Sequence, residues 1–189
     1  MWVVNTRKDI VAILEALQRY VYEEIEAKLT VGKTRSLARV SWREGQSLAR
    51  VRVHPQVMGW PHPVVTGLLA HELAHPIVGL EASPEQRADR ECVRRGLGVY
   101  LAVERAFLGR FQDEVLRRGA DRYLGYTTLR SMLSSTEKRT LDRLIRDTGL
   151  VPRLGQTRST ATRCTWTDVA TMIRLDGRRV TVRGAGLKT

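Results

Sequence analysis

Two histidines and a glutamate lie within five consecutive residues, His71-Glu72-Leu73-Ala74-His75. On a helix, side chains four residues apart lie one turn apart on the same side, so both imidazoles can reach one zinc ion at about 2.0–2.1 Å. Glu72 lies about 100° around the helix axis from His71, where its carboxylate can contact a zinc-bound water without binding the metal. The spacing therefore predicts a zinc site with His71 and His75 as ligands and Glu72 as the general base.

The chemistry that these residues would support is the hydrolysis of a peptide bond. Zinc lowers the pKa of a bound water to about 7 and polarises a carbonyl group, while the carboxylate moves the water's proton to the leaving amine. Such a site needs a third protein ligand and an open fourth position. The candidates for the third ligand are the acidic residues that closely follow the motif: Glu81, Glu85, Asp89 and Glu91.

Glu85 and Asp89 stand four residues apart near the start of the next predicted helix, so they share a face. The order His-Glu-x-x-His, a short connection, then Glu-x-x-x-Asp resembles the gluzincin metallopeptidases, such as the thermolysin-like enzymes. This resemblance implies that Glu85 is the third zinc ligand and that Asp89 orients the ring of His71. On the residues alone, Glu81, Asp89 and Glu91 stay open as third ligands.

A peptidase also needs a hydrogen-bond donor for the oxyanion and a surface for the substrate chain. Five histidine and tyrosine side chains are candidates for the donor: His54, His62, Tyr100, Tyr123 and Tyr126. The predicted strand 47–53 is expected to form the sheet edge beside the cleft, where an extended substrate can add as a further strand.

The elements that position these residues begin with a helix and a β-hairpin. Apolar residues at helical spacing predict a first helix over residues 7–28, ended by Gly32. Two alternating segments, 36–42 and 47–53, predict the two strands of the hairpin.

Helices then dominate the pattern. The motif lies on a predicted helix over residues 64–74, and Pro76 is expected to end or kink it. The run Ser83-Pro84-Glu85-Gln86 predicts a further helix, with its serine as N-cap, its proline at the first helical position and its glutamine completing a capping box. Helical pattern continues to about residue 118, and Gly119-Ala120-Asp121 is the predicted domain boundary.

The positive charge of the chain is concentrated in its last third. Of the net charge of +12, residues 122–189 supply 14 Lys and Arg against five Asp and Glu, whereas residues 1–121 hold 18 against 15. This asymmetry is typical of a segment that binds a polyanion, most simply nucleic acid. A solvated basic surface that keeps the protein soluble is the alternative.

The basic last third has its own series of predicted elements: a short helix over 126–133, a capped turn at 134–137, a basic helix ended by Gly149, strands over 150–154 and 160–166, and a last helix over 168–173. With this order of elements, residues 141–173 resemble the winged helix-turn-helix of the MerR and excisionase type. The resemblance implies that the basic helix reads the major groove and that the wing contacts the DNA backbone. The implied contact residues are Lys138, Arg139, Arg143 and Arg146 on the helix, and Arg153, Arg158 and Arg163 on the wing.

The sequence therefore predicts an α+β protein of two domains. Residues 1–121 would form a mainly helical, zincin-like metallopeptidase domain with a small antiparallel sheet, and residues 122–189 a basic winged helix-turn-helix domain. In architecture this combination resembles the ImmA/IrrE-type peptidases, which cut repressors. SprT-like proteases also pair a His-Glu-x-x-His helix with nucleic-acid binding, but they use a third histidine, and none follows His75.

The expected function is that of a zinc endopeptidase that cuts a protein or peptide substrate and binds DNA through its C-terminal domain. The alternative is a DNA-binding regulator whose zincin-like domain is not catalytic. Two cysteines far apart, no apolar run long enough to span a membrane and no secretion signal favour a cytoplasmic protein. The oligomeric state stays open.

Overall fold

The spacing of apolar residues alternates along the chain between the helical and the strand pattern, and the computed structural model likewise has both helices and strands. The structure describes residues 2–43, 45–116, 121–147 and 162–163. Within them the protein is α+β. The helices are α1 (Arg7–Tyr20), α2 (His62–Val78), α3 (Pro84–Arg94), α4 (Gly98–Phe107), α5 (Tyr126–Met132) and α6 (Ser135–Asp147), with a 3₁₀ turn at Pro55–Val57. The strands are β1 (Trp2–Val3), β2 (Glu26–Val31), β3 (Ala38–Trp42), β4 (Leu48–Val53), β5 (Glu114–Val115), β6 (Arg122–Tyr123) and β7 (Thr162–Arg163).

The central sheet has the order β2-β4-β3 and is mixed. The predicted hairpin is present, because β3 and β4 pair antiparallel, with Val40 opposite Val51. Strand β2 pairs in parallel with the other side of β4. The prediction that strand 47–53 forms the sheet edge is therefore wrong: β4 is the central strand, and β3 is an edge. Two shorter pairings are the parallel pair β1–β7 and the antiparallel pair β5–β6.

The first helix is shorter than its apolar spacing predicted. Helix α1 ends at Tyr20 instead of near residue 28, and residues 26–31 form β2. Six residue pairs join β2 to β4, and Leu29 faces the core opposite Val51. This pairing between distant segments outweighs the local helical preference of the stretch, which sequence periodicity alone cannot weigh.

Helix α2 runs through the middle of the hydrophobic core. All its residues from His62 to His75 are buried, so it contacts helices on one side and the sheet on the other. Gly67 permits the contact with α4, because a Cβ atom at this position would lie 2.3 Å from the carbonyl oxygen of Tyr100. Pro76 does not end the helix: α2 continues to Val78 and stops at Gly79, whose φ of 72° favours glycine.

Helix α3 begins at Pro84, as predicted, but its cap differs. Ser83 stands at the predicted N-cap position, and its carbonyl accepts the first helical hydrogen bond, from Arg87. However, it has φ 57° and ψ 51° and its side chain makes no capping hydrogen bond, so the predicted capping box does not form. Instead, the carboxylate of Asp121 accepts hydrogen bonds from the main-chain N–H groups of Glu85 and Gln86, at 3.2 and 3.3 Å. A residue 35 positions away thus fixes the start of the helix, and no local motif announces it.

Residues beyond α4 pack into the same core. The helical pattern predicted to about residue 118 stops at Phe107, and the pair β5–β6 follows. The predicted short helix and capped turn are confirmed, since α5 spans Tyr126–Met132 and Ser134 and Glu137 form the capping box. Buried leucines of this region join the core around α4: Leu124, Leu129, Leu133 and Leu141.

Much of the predicted C-terminal domain lies outside the described residues. This holds for the strand over 150–154, for the helix over 168–173 and for all of the strand over 160–166 except Thr162–Arg163. The domain division at residue 121 stays a prediction. Among the described helices, none combines the length and apolar character that crossing a membrane requires.

Candidate metal centre

The two histidines of the motif and Glu85 converge on one point. His71 and His75 lie on α2, one turn apart, and Glu85 lies in the first turn of α3, which packs beside α2. The Nε2 atom of His71 lies 2.9 Å from Oε2 of Glu85 and 3.2 Å from Nε2 of His75. The Nε2 atom of His75 lies 3.4 Å from the same Oε2 atom. Three donor atoms of the types that zinc prefers therefore form a small triangle.

The size of this triangle fits a tetrahedral metal site. Ligand atoms at about 2.0–2.1 Å from a tetrahedral ion lie roughly 3.3–3.4 Å from one another. The three measured edges, 2.9, 3.2 and 3.4 Å, need changes of a few tenths of an ångström at most to reach that geometry. Two imidazoles and one carboxylate leave a fourth position for water or substrate. These residues could therefore hold one metal ion.

The ring of His71 is held from behind by a buried carboxylate. Its Nδ1 atom lies 2.8 Å from Oδ1 of Asp89, which is fully buried. This contact leaves Nε2 of His71 directed at Glu85 and His75. A carboxylate on the remote nitrogen fixes the ring orientation and the tautomer of a metal-binding histidine.

Asp89 is itself fixed by two further groups. The guanidinium of Arg105 donates to its Oδ1 at 2.8 Å, and the main-chain N–H of Leu124 donates to its Oδ2 at 2.7 Å. Arg105 also pairs with Glu104 and donates to the carbonyl of Leu124 at 3.1 Å. The four side chains of this network, those of His71, Asp89, Arg105 and Glu104, are all buried. A buried charge is costly without an opposite charge beside it, and Arg105 lies next to both carboxylates.

The pKa shifts indicate that the site favours a positive charge next to its carboxylates. Burial alone would lower the pKa of His71, but the charge of Asp89 and hydrogen bonds to Asp89 and Glu85 raise it to about 10. Burial raises the pKa of Glu85, yet hydrogen bonds to His71 and His75 bring it well below its usual range. Burial also raises the pKa of Asp89, but the positive charges of His71 and Arg105 outweigh it, so the pKa is lowered. The same carboxylates would stabilise the positive charge of a bound metal ion.

Glu72 lies beside this triangle in a cleft of about 410 Å³. The carboxyl group is buried, and burial raises its pKa, partly offset by the charges of His71 and His75. The main chain of Val40 on β3 also hydrogen-bonds to it. A carboxyl group with a raised pKa is a better proton acceptor at neutral pH than an ordinary surface glutamate. The walls are completed by residues from the start of β3 and the segment before it, from α4 and the segment after it, and from β6; among them are Ser36, Leu37, Ala38, Glu104, Arg105, Arg110 and Tyr123.

Tyr123 closes the cleft opposite α2. Its ring lies 5.8 Å from the ring of His71, with the guanidinium groups of Arg105 and Arg110 each 5.2 Å from its centroid. Burial raises the pKa of its hydroxyl, and the charge of Glu85 and a hydrogen bond to it act in the same direction. The hydroxyl therefore stays protonated and can donate a hydrogen bond at the mouth of the site.

The other candidates for the oxyanion donor lie elsewhere or are already engaged. His54 lines the cleft, but its Nδ1 accepts a hydrogen bond from the main-chain N–H of Gln56 at 3.2 Å. His62 is buried at the start of α2, and burial lowers its pKa to about 4. Tyr100 is buried in α4, and Tyr126 begins α5, where its ring contacts Phe111. Tyr123, by contrast, has its ring 5.8 Å from that of His71 and its hydroxyl in a hydrogen bond with Glu85.

The alternative third ligands take other roles. Glu81 pairs with Arg87 on the surface, with Oε2 and Nη1 2.8 Å apart. Glu91 accepts hydrogen bonds from two arginines on α3 and its end, Arg94 and Arg95. Asp89 faces the remote nitrogen of His71.

Sequence reasoning missed Arg105 and Asp121, which act on the ligands indirectly. Arg105 lies 16 residues from Asp89, and Asp121 caps the ligand-bearing helix from 36 residues away. The signal for Arg105 was the adjacent pair Glu104 and Arg105 in an otherwise uncharged α4 sequence, because buried charges need partners.

The predicted DNA-contacting residues fall into two groups. Arg139, Arg143 and Arg146 are exposed on α6, and Lys138 is partly exposed there. Arg153 and Arg158 lie outside the described residues, and Arg163 lies in β7, which pairs with β1.

Comparison with protein-family models, with curated proteins and with solved structures gives no match for this chain. The site must therefore be interpreted from its own residues and geometry.

We expect the purified protein to bind about one zinc ion per chain, as a site with two histidines and one carboxylate does. His75→Ala removes a ligand and should abolish this stoichiometric zinc. His54→Ala removes a histidine that lines the same cleft without facing the triangle, so it should keep the zinc. Metal analysis after gel filtration measures both. Equal zinc contents in the two variants would contradict the assignment of the ligands.

Proposed function

We propose that this protein is a zinc-dependent endopeptidase that cuts an extended segment of a protein substrate. The observation that carries the proposal is the convergence of His71, His75 and Glu85 on one point, with Glu72 beside them at the cleft. A structural metal site closes all four positions with protein ligands, whereas the described residues supply three here. His71 and Glu72 line a cleft of about 410 Å³, a size typical of ligand sites.

In this proposal each residue has its own part in the reaction. Bound zinc would supply a Lewis acid that activates water and polarises the scissile carbonyl. Glu72 accepts a proton from the attacking water and returns it to the leaving amine, which its raised pKa favours. Asp89 keeps the ring of His71 in position throughout, because its own hydrogen bonds to Arg105 and Leu124 prevent it from turning away.

Among the described strands, none pairs with the outer edge of β3, and we propose that the substrate lies along this edge. The main-chain N–H of His54 donates to the carbonyl of Leu37. In an antiparallel pair, every second residue directs its main-chain N–H and C=O groups at the partner strand, so those of Leu37, Arg39 and Ser41 point towards β4. The main-chain groups of Ala38, Val40 and Trp42 therefore point to the other side, where Glu72 lies. An extended peptide can add there as a fourth strand with its carbonyls near the metal ligands. This mode fits a cut within a chain, which defines an endopeptidase.

We propose that the Tyr123 hydroxyl donates a hydrogen bond to the oxyanion. Its ring is next to His71, and its raised pKa keeps the proton on the oxygen. A donor held rigidly where negative charge develops lowers the barrier more than one that must reorganise. The stacked guanidinium groups of Arg105 and Arg110 hold the ring in place.

A second candidate function is DNA binding through α6, in which the metal domain serves a regulator and does not catalyse. The observation in its favour is the exposure of Arg139, Arg143 and Arg146 on one helix that follows a short helix and a tight turn. This arrangement suits a helix that enters the major groove. A DNA-binding regulator without peptidase activity would be indifferent to changes at Glu72.

Replacing Glu72 by glutamine should abolish peptidase activity while leaving zinc bound, because only the proton acceptor is lost. General-base catalysis contributes about 10²–10⁴-fold, so the rate of cleavage should fall by at least about 100-fold. Release of dye from a quenched, unfolded casein measures the rate, and metal analysis measures the zinc. Glu81→Gln is the matched control, since Glu81 is exposed and pairs only with Arg87 among the described residues. Unchanged cleavage in Glu72→Gln would refute the peptidase proposal.

Tyr123→Phe should lower kcat by about 10²–10³-fold with little change in KM, as the loss of an oxyanion donor does in other hydrolases. The ring remains, so its contacts with His71 and the two arginines should persist. Tyr126→Phe removes a hydroxyl from a neighbouring tyrosine that contacts Phe111, and it should leave kcat unchanged. Steady-state kinetics on a fluorogenic peptide, with zinc content checked, measures both. A fall in zinc content that matched the fall in kcat would assign Tyr123 to metal binding instead.

A further inference from the structure

The outer face of the central sheet carries a concentration of positive charge. In β2, β3 and β4, alternate residues are buried against the helices, and the others point outward. The outward positions are Glu26, Lys28, Thr30, Arg39, Ser41, Leu48, Arg50 and Arg52. Four of these eight positions are cationic and one is acidic. We name the cationic set, Lys28, Arg39, Arg50 and Arg52, the basic sheet face.

The strand pairing brings these cations next to one another. Arg52 stands directly opposite Arg39 on one side and Thr30 on the other, and Arg50 stands between Ser41 and Lys28. Neighbouring strands lie about 4.8 Å apart, and residues i and i+2 of one strand lie about 6.6–6.8 Å apart. Like charges directly opposite each other destabilise a sheet. Within the part of the chain that the structure describes, no carboxylate forms an ion pair with Arg39, Arg50 or Arg52 to offset this cost.

We infer that the basic sheet face binds the phosphate backbone of double-stranded nucleic acid. Guanidinium groups bind phosphate oxygens through two parallel hydrogen bonds, and hydroxyl groups such as those of Thr30 and Ser41 are common additional phosphate donors. A row of such groups on a rigid sheet matches the regular charge of a duplex backbone, about one phosphate per 3.4 Å of each strand. The binding is independent of nucleotide sequence, because no group here enters a groove.

The chemistry of this face argues against other polyanions. Single-stranded nucleic acids are bound by aromatic side chains on which bases stack, and none of the outward positions is aromatic. Binding at a membrane surface needs apolar side chains that enter the lipid, and Leu48 alone among these positions is apolar. A duplex backbone needs cations and hydroxyl groups, which make up six of the eight positions.

This face is separate from the arginines of α6 and adjoins the cleft. Strand β3 contributes Arg39 and Ser41 to the face, while its free main-chain edge borders the cleft that contains Glu72. A duplex on the sheet would therefore lie about one strand away from the cleft. The inference does not require peptidase activity, and it would hold if the metal site proved not to be catalytic.

The test is the affinity of the full-length chain for a short fluorescein-labelled DNA duplex of arbitrary sequence, measured by fluorescence anisotropy from about 50 to 200 mM salt. The triple variant Arg39→Gln/Arg50→Gln/Arg52→Gln should bind at least about 10-fold more weakly at the lowest salt. Its log–log salt slope should be smaller by about 2.7, since each lost phosphate contact contributes about 0.9. The variant Arg39→Lys/Arg50→Lys/Arg52→Lys keeps the charge and should keep the slope of the wild type. Circular dichroism verifies that each variant is folded.

The matched control removes three arginines from another exposed surface, in Arg139→Gln/Arg143→Gln/Arg146→Gln. Wild-type affinity and slope in the sheet variant, with loss only in the α6 variant, would overturn the inference. So would a failure of the wild-type chain to bind the duplex. Binding of polyglutamate or of phosphatidylserine vesicles without binding of the duplex would assign the face to another partner. Cleavage of casein, measured in parallel, reports on the peptidase separately.

Discussion

The buried carboxylate of Asp89 is the group on which the arrangement of the site depends. It holds the ring of His71, the guanidinium of Arg105 and the main-chain N–H of Leu124, so one side chain joins α2, α3, α4 and the segment after β6. Removing one partner of a buried ion pair costs about 3–5 kcal/mol, because the other charge stays behind without compensation. The orientation of His71 is thus tied to the stability of the fold, and the ring cannot turn without breaking this network.

The same packing explains how three ligands come together from two helices. Gly67 lets α2 and α4 approach closely, which brings Arg105 within reach of Asp89. The cap that Asp121 provides fixes the first turn of α3, where Glu85 lies. Strand β3 packs against α2, and a hydrogen bond from the main chain of Val40 lowers the pKa of Glu72. The proposed metal geometry, proton acceptor and substrate edge therefore all depend on contacts between distant segments.

The sequence predicted the parts of the site that are local and missed those that are not. The pair His71 and His75 follows from spacing on a helix, which a single sequence displays. The choice of Glu85 and Asp89 follows from the resemblance to the gluzincin enzymes. The helix that apolar spacing predicts over residues 7–28 runs into the start of β2, because the six pairings of β2 with β4 are invisible to local periodicity. Arg105 and Asp121 act on Asp89 and α3 from a distance and belong to no motif. The basic sheet face could not be predicted from local sequence either, because its arginines belong to different strands and only the strand register shows that they lie side by side.

The central claim is that His71, His75 and Glu85 bind one zinc ion, and X-ray absorption at the zinc edge of the zinc-loaded protein tests it most directly. The predicted spectrum has only nitrogen and oxygen neighbours, at about 2.0–2.1 Å, with the outer-shell scattering of two imidazole rings. Three of the four neighbours would come from the protein. Sulfur neighbours at about 2.3 Å, or a shell of oxygen atoms without imidazole scattering, would contradict the account.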